Sequence, residues 1–150
     1  MRIACLTPFL LLAAAATPAH GDELPSFQPG LWSFSVTVNH YGEKNPKVRT
    51  MTRCADPGAE IRKKWQSLAA QSCKFSPVTH SGNQYSYTSS CNSQGQVVST
   101  KSVIQAEGQD SYRVDSEAHS AAQASREIVL ARRVGDCAAG QPLQGTSHSP

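Results

Sequence analysis

The polar and apolar positions of the chain first fall into step at residues 32–39. Trp32, Phe34, Val36 and Val38 alternate with Ser33, Ser35, Thr37 and Asn39. A period of two predicts a strand with one buried face. Pro29, which has no N–H to offer a ladder, stands just before it, and Gly30 lets the backbone turn in or a neighbour approach closely. Trp32 opens the buried face and predicts a large apolar plug at one end of a core. After the turn residues "YGEKNP" (41–46), the alternation returns. Val48, Thr50, Thr52 and Cys54 share one side; Arg49, Met51 and Arg53 share the other.

Residues 56–71 change period. Asp56 suits an N-cap and Pro57 suits the first helical position. Ile61, Trp65, Leu68 and Ala69 recur at helical spacing. The pattern predicts one short amphipathic helix, over about 58–70, laid against a sheet or over one end of it.

"CKFSPVTH" and "QYSYTSSC" then flank "SGN" (81–83), a hairpin signal. Pairing His80 with Gln84 brings Cys73 opposite Cys91, close enough for a disulfide where both side chains share a face. Cys73–Cys91 is therefore expected, leaving Cys54–Cys137 to join the second strand to the last. Residues 95–108 and 111–118 flank the turn "EGQD", and 119–125 reads as a looser connector. Ile128, Leu130, Arg132 and Val134 alternate in a final strand. About seven strands and one helix predict an all-β fold: an antiparallel meander closing toward a small barrel or sandwich.

The N-terminal stretch changes the compartment. Arg2, the apolar run from Ile3 to Ala16, and small Thr17 and Ala19 predict a cleaved signal peptide over 1–19, with His20 as the new N-terminus. Cys5 precedes the leucines, whereas a lipoprotein cysteine would follow the apolar run. The expected organisation is a leader (1–19), a flexible lead-in (20–28), a disulfide-bonded β domain (29–137) and a polar, disordered tail (138–150). Four cysteines remain after cleavage, and an even count in an exported protein reads as two disulfides. They lack the close spacing of a zinc site. A periplasmic location is expected, with no transmembrane segment after cleavage.

Charge narrows the partners. The chain carries a formal net charge of +3. That is modest for a nucleic-acid binder, and export argues against one. The charge is uneven: Lys44, Lys47, Arg49, Arg53, Arg62, Lys63 and Lys64 cluster, and a basic face could meet an anionic envelope component.

Catalytic signatures are missing: there is no G-x-S-x-G elbow and no H-E-x-x-H. The carboxylates Glu107, Asp110, Asp115, Glu117 and Glu127 lie on or near turns and strands. His40, His80 and His119 are nowhere at metal-ligand spacing. A non-enzymatic role without a cofactor or metal is expected. Trp32, Phe34, Phe75, Tyr85, Tyr87 and Tyr112 are the candidate lining of a core or of a small apolar cavity.

Two resemblances follow from these residues. Gly30-Leu31-Trp32 on the first strand, with Arg132 or Arg133 on the last, is similar to a lipocalin signature, in which such a tryptophan packs against a late arginine at a closed barrel end. More of the chain is covered by "PGLWSFSVTV", "MTRC", "SCKF", Cys91, "GQDSY" and "RRVGDC". In this order they resemble the domain-of-unknown-function family DUF3617, small exported proteins of Proteobacteria. The resemblance implies a periplasmic, disulfide-bonded β domain and carries no activity or catalytic residue across. The expected function is binding of a small apolar or amphipathic ligand. The alternative is a structural or partner-interaction envelope protein with a filled core and a basic face at 44–64.

Overall fold

The structure, a computed structural model, describes residues 24–93 and 95–144. The predicted leader, 1–19, lies outside the described residues. Eight strands and one helix follow in chain order. They are β1 (Gly30–His40), β2 (Lys47–Ala55), α1 (Pro57–Ala70), β3 (Lys74–Phe75), β4 (Thr79–Ser81), β5 (Gln84–Ser93), β6 (Gln96–Glu107), β7 (Ser111–His119) and β8 (Ala124–Gly135). They form one antiparallel sheet in the order β2-β1-β8-β7-β6-β5-β3, with β4 also on β5. Its edges do not join, so it is neither a closed barrel nor a sandwich. α1 connects the two edges of the open sheet, following β2 and preceding β3.

The inner face is the one begun by Trp32, which is fully buried. Trp32, Phe27, Phe34, Ala55, Ile104, Ala106, Tyr112 and Ala131 form the core at one end of the sheet. The indole N–H of Trp32 donates to the Gln28 carbonyl over 3.0 Å. Ring centroids of Phe27 and Tyr112 lie 6.1 and 5.7 Å from it. The lead-in expected to be flexible is thus held at its described end. Phe27 is apolar enough to repay ordering, and Gln28 N–H bonds the Gln109 carbonyl.

Gly30 is required by close approach. A Cβ there would stand 2.7 Å from the Gly135 carbonyl oxygen and 2.5 Å from Arg133 Nε. The ladder between β1 and β8 shifts by one residue at this point, with Leu31 opposite Gly135 and Trp32 opposite Arg133. Val134 is the extra residue of the bulge. Arg133 Nε donates to the Pro29 carbonyl, and its guanidinium pairs with Asp136. A tryptophan and a late-strand arginine are therefore neighbours, as in the lipocalin signature, but on an open sheet.

Both disulfides join the expected cysteines. Cys54 and Cys137, with Cα atoms 5.6 Å apart, strap the end of β2 to the chain leaving β8. Between them runs β1, whose Leu31 pairs with both Cys54 and Gly135. Beyond Cys137 the tail is also held within its described part. Gln144 N–H donates to the Cys54 carbonyl, so residues 138–144 return to the β2 edge instead of trailing away.

The Cys73–Cys91 bond has a subtler basis. At the turn the hairpin is one residue out of the predicted register: Ser81 opposes Gln84, His80 opposes Tyr85, and Gly82-Asn83 form a two-residue turn with Gly82 at φ +59°. Lys74 and Phe75 nevertheless oppose Ser90 and Ser89, the predicted register. The segment Ser76-Pro77-Val78 absorbs the difference. Pro77 has no N–H to offer, and the Ser76 hydroxyl oxygen instead accepts from Thr88 N–H over 2.9 Å. Cys73 and Cys91 consequently meet, with Cα atoms 4.1 Å apart.

Candidate functional site

α1 begins where its sequence says it should. The Asp56 carboxylate accepts from Ala59 N–H over 2.9 Å, and Pro57 fills the first turn. Its apolar residues Ile61, Trp65 and Leu68 face the sheet but are only half-buried. The helix stands off the strands and leaves a groove of about 580 Å³ beneath it. Volumes of this order suit one small organic molecule.

The groove floor is ordered by register. Directly opposed residues on neighbouring strands point to the same face, and successive rows on that face lie about 7 Å apart. The deepest row runs Phe34, Ala131, Tyr112, Ala106; the next runs Val36, Val129, Val114, Ile104. The third runs Val38, Glu127, Ser116, Ser102, Tyr87. A fourth adds His40, Ser125, Ala118, Thr100 and Ser89. The floor therefore passes from aromatic and aliphatic at the core end to hydroxyl and carboxylate at the other. Ser102, almost fully buried, shares a hydrogen bond of 2.9 Å with the Ser116 hydroxyl.

The lid is fastened at its first turn. Arg53 of β2 and Glu60 of α1 form a two-pronged ion pair, one prong being 2.7 Å. The guanidinium also lies 4.6 Å from the centroid of Phe34. The hydrogen bond to Glu60 raises the Arg53 pKa further above its ordinary value. At the deep end, burial, reinforced by the Glu60 charge, pushes the Tyr112 phenol well above its ordinary value. Tyr112 thus remains a neutral wall.

A second fastening is aromatic. Trp65 lies 5.1 Å from Phe75 and 4.5 Å from Tyr87, centroid to centroid. Its indole Nε1 is buried without a hydrogen-bond partner. On the other flank of Trp65 is a wider depression of about 870 Å³, lined by Leu24, Arg62, Gln66 and Pro77 among others. It is more open and less apolar than the groove, so the groove is the better candidate.

Of the six aromatic candidates, Phe34, Phe75, Tyr87 and Tyr112 line the groove. Trp32 is a core plug beyond its end, and Tyr85 packs at the core's margin with its ring 5.3 Å from His80. On β2, Arg53, Arg49 and Lys47 lie opposite Trp32, Val36 and Val38 and so share the inner face. Arg53 turns inward to Glu60, and Lys64 reaches the groove from the lid. Lys44, Lys47, Arg49, Arg62 and Lys63 are exposed. Groove residues that strand and helix periodicity left unnamed as a site include Ser102, Ser116, Ile61, Trp65 and Leu68, while Glu127 is one of the five candidate carboxylates. His40 and His119 end neighbouring parts of the sheet, the latter stacked on Tyr41, while His80 lies on β4.

A family model described as "Protein of unknown function (DUF3617)" matches residues 27–137. The chain belongs to this family. The matched span starts at Phe27, the buried residue beside Trp32, and ends at Cys137, the last half-cystine, so the DUF3617 unit coincides with the packed and strapped part of the chain. Neither a curated protein nor a solved structure matched it. Among the described residues no helix is long and apolar enough to cross a membrane.

Proposed function

We propose that this DUF3617 protein is an exported, periplasmic binding protein that holds one small amphipathic molecule in the groove between α1 and the sheet. The carrying observation is the separation of two apolar surfaces that would otherwise collapse. Trp65 and Leu68 line the helix side of the groove and Val36, Val114 and Val129 its floor, with a volume of about 580 Å³ between them, while Ile61 packs against the core. An apolar tail suits the Phe34–Tyr112 end, and a polar head suits the Ser102–Ser116–Glu127 row. Two disulfides fit an oxidising compartment, and the N-terminal leader pattern gives the route to it.

Native mass spectrometry of the protein recovered from periplasm tests this reading. The expected result is a chain beginning near His20 and carrying an adduct of lipid or metabolite size. A groove-filling Val129→Trp variant should lose the adduct. A bare chain in both proteins, or an equal adduct in both, would overturn it.

A further inference from the structure

The polar row puts one charge, Glu127, in the groove lining; at the β2 edge the row continues to Lys47, which is exposed and 4.0 Å from Glu43. Glu127 lies on β8, in the interior of the sheet order, between Val38 on one side and Ser116 on the other. It is half-buried and lines the groove. The neighbouring Arg126 points to the opposite face, where it bonds Asp115 over 2.8 and 2.6 Å. Among the described residues the Glu127 carboxylate has no ion-pair or hydrogen-bond partner.

We infer that Glu127 selects the charge of the ligand's head, and that the groove takes a single-chain amphiphile with an ammonium head in preference to an anionic one. This rests on the groove being a ligand site.

An ionised carboxylate accepts hydrogen bonds and donates none. The Ser102–Ser116 pair beside it is already mutually bonded and supplies no positive charge. A primary ammonium offers three donors and the complementary charge, and its attraction to a carboxylate strengthens as the groove excludes water. Tyr87 ends the same row, with Trp65 and Phe75 against it, and aromatic faces favour a cation over an anion.

The other charges on this face do not reverse this sign: Lys47 and Arg49, on the β2 edge strand, are exposed outside the groove lining, with Lys47 4.0 Å from Glu43. Arg53 is neutralised by its two-pronged bond to Glu60. Lys64 is exposed on the lid, on a long stem that can carry its charge into solvent. Glu127 has a short stem on an interior strand and cannot leave.

The test is titration of the whole exported protein, followed by tryptophan fluorescence, with three probes of equal chain length: decylammonium, a decyl maltoside and decyl sulfate, each below its micellar concentration. The expected order is ammonium tightest, maltoside intermediate and sulfate weakest, with about a tenfold step between ammonium and sulfate. Glu127→Gln should remove that step while maltoside still binds, and Lys44→Gln, a charge change at an exposed position outside the groove, should leave the order unchanged. Sulfate binding as tightly as ammonium, or an ammonium preference that survives in Glu127→Gln, overturns the assignment while the groove stands. If none of the three probes binds, the groove reading falls and this assignment with it.

Discussion

Arg53 and Glu60 join the edge strand β2 to the first turn of α1 through two parallel hydrogen bonds, one of them 2.7 Å. The pair is the polar fastening of a lid whose middle rests on the stack of Trp65 with Phe75 and Tyr87. Their side chains are 25% and 23% exposed, between a surface pair and a buried one. A double-mutant cycle with Arg53→Ala and Glu60→Ala should therefore give a coupling of about 1–2 kcal/mol in urea unfolding, after allowance for solvent screening. Additive losses would mean that the pair does not hold the lid.

The two tryptophans should separate cleanly. Trp32→Ala removes a fully buried ring and its bond to Gln28, and is expected to cost about 3–5 kcal/mol. Trp65→Ala removes a half-buried ring from beside an existing cavity, and about 1–2 kcal/mol is expected. Equal losses in denaturant titration would show that α1 packs as tightly as the core.

The outer face predicts an acid-sensitive step. The Asp115 carboxyl is held below its ordinary value, first by its two hydrogen bonds from Arg126 and then by one from Arg113, against the opposing effect of burial. A carboxylate depressed in the folded state contributes stability that is fully present above its unfolded value, near 4, and is lost as pH falls through the folded value. Wild-type stability should decline below about pH 4 more steeply than that of Asp115→Asn. Parallel curves for the two proteins would exclude this source.

The disulfides should contribute unequally. Cys54–Cys137 spans 83 residues and Cys73–Cys91 spans 18. In the chain-entropy account the longer loop restrains the unfolded chain more, by about 1 kcal/mol. Replacing Cys54 and Cys137 by Ser should lower the unfolding midpoint further than replacing Cys73 and Cys91. The reverse order would place the main restraint in the hairpin. Peptide mapping without reduction should recover these two linkages and no others.

Much of this was legible along the chain. Asp56 and Pro57 announced α1 to within a residue of its start, because a cap and a fixed proline torsion are local chemistry. The alternation from Trp32 to Val38 announced both β1 and its buried side. At the hairpin, local rules led to a three-residue turn, whereas Gly82-Asn83 make a two-residue one. Pairing of Cys73 with Cys91 survived because Ser76-Pro77-Val78 restored the register, a compensation between separated parts of a strand.

The order of residues by itself determined the periods, the turns, the helix cap and the half-cystines available to pair, since each depends on a few neighbouring side chains. Only the tertiary structure decided that β1 lies between β2 and β8, that the sheet stays open, and that Glu127 and Trp65 face one groove. Those outcomes depend on which distant strands share hydrogen bonds and on how far a helix can approach the rings beneath it. No local window contains that information.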